Sequence, residues 1–158
     1  MSIVRTFSLL ALVVLASCSN EVIYDVGTLQ PSSEGNKTEL KDDLQFMSIA
    51  YRDLFGEEVP PGVLQTMRKA YISFGDKELV IDEIVQSLLT SPDIDLPSNA
   101  SIAADPAAFI SSTYRKFLLR DPSDFELAYW ESQITENTDL TAKDIYYVFM
   151  TCQEYKYY

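Results

Sequence analysis

Histidine is absent from the 158 residues. That removes the commonest general base and the commonest metal-ligating side chain together. Cysteine occurs only at positions 18 and 152. Acylation of Cys18, argued below, leaves Cys152 as the sole thiol, so no intramolecular disulfide is expected even in an oxidising compartment. Cys152 falls on an apolar helical stripe, where a buried, inert thiol is the expected state. No segment has the ~18 consecutive apolar residues that a membrane-spanning helix requires. No Asp-x-Asp-x-Asp-Gly loop occurs, so no calcium site, and no other metal or cofactor, is expected. Basic residues are scarce, 12 against 24 acidic, for a net charge of −12. A surface of that sign repels phosphate backbones and anionic headgroups, which excludes nucleic acid as a partner.

Aromatic residues are abundant, with ten Tyr and eight Phe. That content is too high for an acidic disordered chain and demands a core. At the N-terminal end, Arg5 precedes an apolar run over residues 7–16, followed by Leu15-Ala16-Ser17-Cys18. A basic front, a short apolar stretch and small residues before a cysteine resemble the signal of bacterial lipoproteins. The resemblance implies a signal peptide over residues 1–17, cleavage before Cys18 and fatty acylation of its thiol with palmitate-type chains. At about 0.8 kcal/mol per buried CH₂, more than one chain makes a stable anchor. Ser19 stands where inner-membrane lipoproteins often carry Asp, so the outer membrane is the expected location, with its facing side left open. Without Arg5, the mature chain of 141 residues has 11 basic and 24 acidic groups and a charge of −13.

Residues 18–37 read as an acylated cysteine and a flexible tether, rich in Ser, Gly, Pro and Asn. Within it, Val22, Ile23, Tyr24 and Val26 are compatible with a short strand or a partner-binding segment. Beyond, apolar residues recur at helical spacing. Leu40, Leu44, Met47, Tyr51 and Leu54 form one stripe, with Thr38 as the expected N-cap and Gly56 as the stop. Leu64, Met67, Tyr71 and Phe74 form a second between Pro60-Pro61 and Gly75. Ile81, Ile84, Val85, Leu88 and Leu89 form a third, capped by Asp76. Residues 38–94 are thus a three-helix half, 95–105 a linker, and 106–158 a second half. In the latter, Asp105-Pro106 opens one helix and Ser123-Asp124-Phe125-Glu126 is a capping box for the next. Thr141-Ala142-Lys143-Asp144 is a box of the same kind for the last, flanked by a Leu140–Ile145 staple. The fold class expected is all-α, about six helices in two pseudo-repeated halves.

The halves can be overlaid. Phe46, Tyr51, Arg52, Leu54, Leu64 and Met67 precede Phe109, Tyr114, Arg115, Phe117, Leu127 and Trp130 by 63 residues, and Leu89 precedes Met150 by 61. Tyr114-Arg115, Phe117-Leu118, Arg120, Pro122, Leu127-Ala128-Tyr129-Trp130 and Phe149…Cys152-Gln153-Glu154-Tyr155 resemble a bacterial helical repeat of unknown function. That repeat occurs in exported proteins and is itself similar to the phycobilisome-linker domain. The first half keeps Tyr51-Arg52 and Leu54-Phe55-Gly56 but has Met67 in place of Trp. These are packing motifs, so the resemblance implies a scaffold or assembly role and no reaction.

Acidic pairs such as Glu57/Glu58, Asp93/Asp95 and Asp121/Asp124 are frequent by composition alone, and no enzymatic constellation emerges. Arg115 and Arg120 are expected to pair with local acids. Candidate contacts for a protein partner or a glycan are Tyr129, Tyr147, Tyr155, Tyr157 and Tyr158, since aromatic rings can stack on sugars or anchor interfaces. Trp130, next to Tyr129, is expected to face the core. The function expected is a membrane-anchored, non-enzymatic interaction module, or alternatively a glycan-binding lipoprotein using the C-terminal tyrosines.

Overall fold

The computed structural model describes Lys37 and residues 39–157; the signal, Cys18, nearly all of the tether, Thr38 and Tyr158 lie outside the described residues. The described chain is all-helical: α1 (Asp43–Phe55), α2 (Pro61–Ser73), α3 (Lys77–Leu89), α4 (Asn99–Ala104), α5 (Pro106–Thr113), α6 (Asp124–Glu136) and α7 (Ala142–Thr151). A π turn (Tyr114–Leu118) continues α5, and a 3-10 turn (Glu154–Lys156) follows α7.

Local chemistry sets most of the boundaries. Ser123 with Glu126, and Thr141 with Asp144, form reciprocal capping boxes at α6 and α7. Asp76 and Asp105 cap α3 and α5, each taking backbone N–H groups that the helix leaves unpaired. The first helix departs from expectation. It starts at Asp43, because Asp42 and Gln45 form a capping box there. Leu40 is therefore outside the helix, 63% exposed, and forms an antiparallel bridge with Tyr157. Helix α2 ends at Ser73, short of Gly75, and Phe74 turns to extended backbone with its ring half exposed. In α3, Val80 joins the core while Ile81 lies at its margin.

The segment expected as a linker contains α4, a seventh helix. Ser98 caps it, and Ile102 is buried, so this short helix packs on α5 and α6. The linker composition concealed it because one apolar residue carries the contact. In the first half, α1 packs on α2 and α3; in the second, α5 packs on α6. Helix α7 crosses to α3 and joins the halves. One apolar cluster runs through both, including Met47, Val85, Ile110, Ile145, Met150 and Tyr155.

Helix bounds follow the 63-residue offset. Helix α1 corresponds to α5 plus its π turn, and α2 to α6, at both ends. The two positive-φ residues among those described also correspond: Gly56 at 73° and Leu119 at 56°. At Leu119 the half-exposed side chain sits over backbone that L-residues enter at a cost of about 1–2 kcal/mol. Leu119→Gly should therefore raise stability, by about 0.5–1 kcal/mol after the added freedom of the unfolded chain is counted. Gly56→Leu should lower it by a similar amount. Urea unfolding followed by circular dichroism measures both; a loss of stability in Leu119→Gly would refute the strain argument.

Candidate functional site

The C-terminal tyrosines are split by the fold. Tyr155 is fully buried, which removes it from the candidate contact residues. Its ring meets Phe46 and Phe117 edge-on at 5.7 and 6.0 Å, and its hydroxyl donates to Asp53 Oδ2 at 2.8 Å. The Leu40 bridge and the 3-10 turn draw this segment back across α1, a long-range pairing that local spacing cannot reveal. Tyr147 is half-buried and donates its hydroxyl to Asp82 of α3, so it too is committed within the domain. Tyr157 is half-buried at the bridge to Leu40. Tyr158 lies outside the described residues. Of the four described, Tyr129 alone is an exposed ring, on α6 beside Trp130, which packs on Phe149 at 5.5 Å as expected of a core-facing indole.

Two charged clusters tie the C-terminal turn to the rest. In the first, Lys41 Nζ donates to the Tyr155 carbonyl and lies 3.9 Å from the centre of its ring. The Lys41 backbone N–H donates to Lys156 O at 2.9 Å. Desolvation brings the Lys41 ammonium down to about 8, against the attraction of Asp53. Burial likewise raises the Asp53 carboxyl, partly offset by the Tyr155 hydrogen bond and by Lys41. Tyr155 is pushed well above its ordinary range by burial and by the Asp53 charge. A lysine, a tyrosine and a carboxylate together suggest acid–base chemistry, but the Tyr155 hydroxyl and ring are enclosed and the Lys41 proton is spent on a backbone carbonyl. The cluster serves to join the two ends of the fold.

In the second cluster, Arg120 forks between two carboxylates. Its Nη1 and Nη2 reach Glu126 at 2.9 and 2.7 Å, and its Nε and Nη2 reach Glu154 at 2.7 and 2.8 Å. The guanidinium also stands 4.9 Å from the Tyr114 ring centre. Those hydrogen bonds raise Arg120 and hold Glu126 at about 2, with help from Ser123. Arg115 pairs with Asp121 at 2.6 Å on the open surface. Both arginines thus meet local acids, as expected. Cys152 caps the end of α7, free and half-buried rather than enclosed. Among the described residues, no group of three acidic or thiol side chains is arranged to hold a metal ion.

The open feature is apolar. A groove of about 630 Å³ runs between α2 and α3, floored by Met67, Val80, Ile84 and Leu88. Val63, Phe74 and Leu79 line it and are 37%, 53% and 50% exposed. Helix α2 carries its apolar residues on more than the one stripe that α1 covers, and Phe74 and Leu79 flank the short α2–α3 turn. Sequence spacing places Met67 and Phe74 on one stripe; Met67 is buried as that implies, whereas the Phe74 ring is half exposed at the groove. The signal for an open edge was the small pair Gly62 and Ala70, which leave the crease unfilled. No family model, curated protein or solved structure matches the chain.

The Arg120 fork yields a pH prediction. The folded value of Glu126 lies below its ordinary 4.5, so its contribution is present above that value and lost as pH falls through about 2. Glu126→Gln keeps a side chain that can serve the capping box but drops the charge. With partial exposure screening the pair, a cost of about 1–2 kcal/mol is expected at pH 7, vanishing near pH 2. Urea titrations at both values check this. Separately, the Lys41 Cε resonance should titrate with a midpoint near 8, and that group should favour folding increasingly as pH rises from about 8 toward its ordinary 10.5.

Proposed function

We propose that the protein is a membrane-anchored, non-enzymatic interaction module, held by an acylated Cys18 at the outer membrane of a bacterial envelope. The observation that carries this reading is the α2–α3 groove. There Val63, Phe74 and Leu79 are exposed together over an apolar floor, whereas Leu40, Leu119 and Phe125 are exposed outside that groove. Contiguous exposed apolar surface of this kind marks protein-interaction sites more often than it occurs by chance. The charged clusters are compatible with the reading, since their groups are engaged with one another and close the fold. Recurrence of helix bounds at one offset supports descent from two copies of the helical repeat, in keeping with a scaffold role.

The glycan alternative rested on a patch of C-terminal tyrosines, and the burial of Tyr155 together with the engagement of Tyr147 disperses that patch. The anchor reading rests on Arg5, the apolar run over residues 7–16 and Leu15-Ala16-Ser17-Cys18; no described helix is long and apolar enough to cross a membrane.

The test has two arms. Alkynyl-palmitate labelling of expressing cells should mark the wild-type chain and not Cys18→Ser; equal labelling would overturn the anchor. Cross-linking in intact cells should join the chain to a stoichiometric envelope protein. The cross-link should fall at least tenfold in Leu79→Glu, a substitution at a half-exposed position that leaves the core intact. An unchanged cross-link in that variant would overturn the groove as the interaction site.

A further inference from the structure

We infer that the α2–α3 groove is the seat of the chain's own segment Val22–Val26, laid along it in extended form. The segment lies outside the described residues. The inference adds regulation to the interaction-module reading and rests on that reading only for the partner that competes.

Val22, Ile23, Tyr24 and Val26 stand together in a stretch otherwise dominated by Ser, Glu, Asn and Gly. An apolar run in a polar tether gains by burial, in proportion to the area covered, and needs an apolar surface within reach. The groove supplies one, with Val63, Phe74 and Leu79 exposed over a floor of Met67, Val80, Ile84 and Leu88.

Reach is set by where the described chain begins. Leu40 and Lys77 line one cavity, so the entering chain stands beside the first turn of α3. Leu79, two residues after Lys77, lines the groove at that end. Thirteen residues, 27–39, separate Val26 from Leu40. A chain of that length averages roughly 20 Å between its ends and can extend to about 43 Å. The groove follows α3 from Leu79 to Leu88, about 13 Å at 1.5 Å per residue. Val22 to Val26 covers about 13 Å as well, at about 3.3 Å per residue in extended form. Val22, Tyr24 and Val26 then share one face, toward the floor, while Ile23 and Asp25 share the other, toward the rim.

Charge is divided between the walls. Helix α2 carries Arg68 and Lys69 and no acid, whereas α3 places Glu83 at the groove. Glu21 and Asp25 are therefore favoured on the α2 side. A second copy of the chain offers the same segment, but must supply it from solution. The tethered segment is present at an effective concentration on the order of 1 mM. A protein partner has to compete with it, so the groove empties only for a partner that binds better than this internal ligand.

A photoreactive group in the segment tests this. The full acylated chain with Tyr24→p-benzoylphenylalanine, light and heavy isotope forms in equal parts, is irradiated in vesicles of zwitterionic lipid. Mass spectrometry should find cross-links within single chains to groove residues between Gly62 and Leu88. The yield should fall at least tenfold in Leu79→Glu and in Val63→Glu, both at exposed positions, and should not change in Phe125→Glu, an 81% exposed ring on α6. In cells, Val22→Ser combined with Val26→Ser should raise the cross-link to the envelope partner at least threefold. Cross-links only between light and heavy chains, only to lipid, or only outside the groove would overturn the inference, as would full yield in both groove variants. If the within-chain cross-link is missing while Leu79→Glu still removes the cellular one, self-occupancy fails and the interaction reading stands. If it forms in the groove and the cellular one persists in Leu79→Glu, self-occupancy stands and the interaction reading fails.

Discussion

The enclosure of Tyr155 is the constraint on which the rest of the domain depends. Its ring lies between Phe46 of the first half and Phe117 of the second, and its hydroxyl binds Asp53. Burying a side chain of this size contributes about 1.5–3 kcal/mol relative to exposure, and edge-on ring pairs add to that. The polar atoms it brings inside have partners, which avoids the penalty for an unpaired buried hydroxyl. Because those contacts span both halves, the residue converts two helix sets into one cooperative core. The Leu40–Tyr157 bridge, the Lys41 contacts and the Arg120–Glu154 pair all gather around the same turn.

Legibility in the sequence followed the range of the interaction. Capping boxes at Ser123 and Thr141 and caps at Asp76 and Asp105 involve neighbours three residues apart, and their residue types announce them. The all-α class and the order of the helices came from apolar spacing. Misreadings arose where a distant contact overrode a local pattern. Leu40 fits the α1 stripe, yet pairs with a residue more than a hundred positions away. Tyr155 looked like one of several exposed terminal rings, but cross-half packing takes it in. The helix α4 depends on a single buried isoleucine and leaves no period to detect.

The pseudo-repeat also shows how one backbone plan supports different surfaces. Both halves present a left-handed residue after the first helix and then a helix of thirteen residues. In the second half Trp130 packs on Phe149 and the Arg120 fork joins α6 to the C-terminal turn. In the first, Met67 and Val63 stand at the corresponding positions and line an open apolar groove between α2 and α3.

The bridge between Leu40 and Tyr157 has a mechanical consequence. It brings the point where the chain enters the domain next to its last described residues, on the opposite side of α1 from its Gly56 end. Tension applied through the preceding segment would act first on a single antiparallel bridge and on the Lys41 contacts, which can open one after another. A load held in the α2–α3 crease would pass through α1 and, by way of the packing of α3 on α7, into the second half as well. Tyr155, set between Phe46 and Phe117, would carry strain from either half to the other.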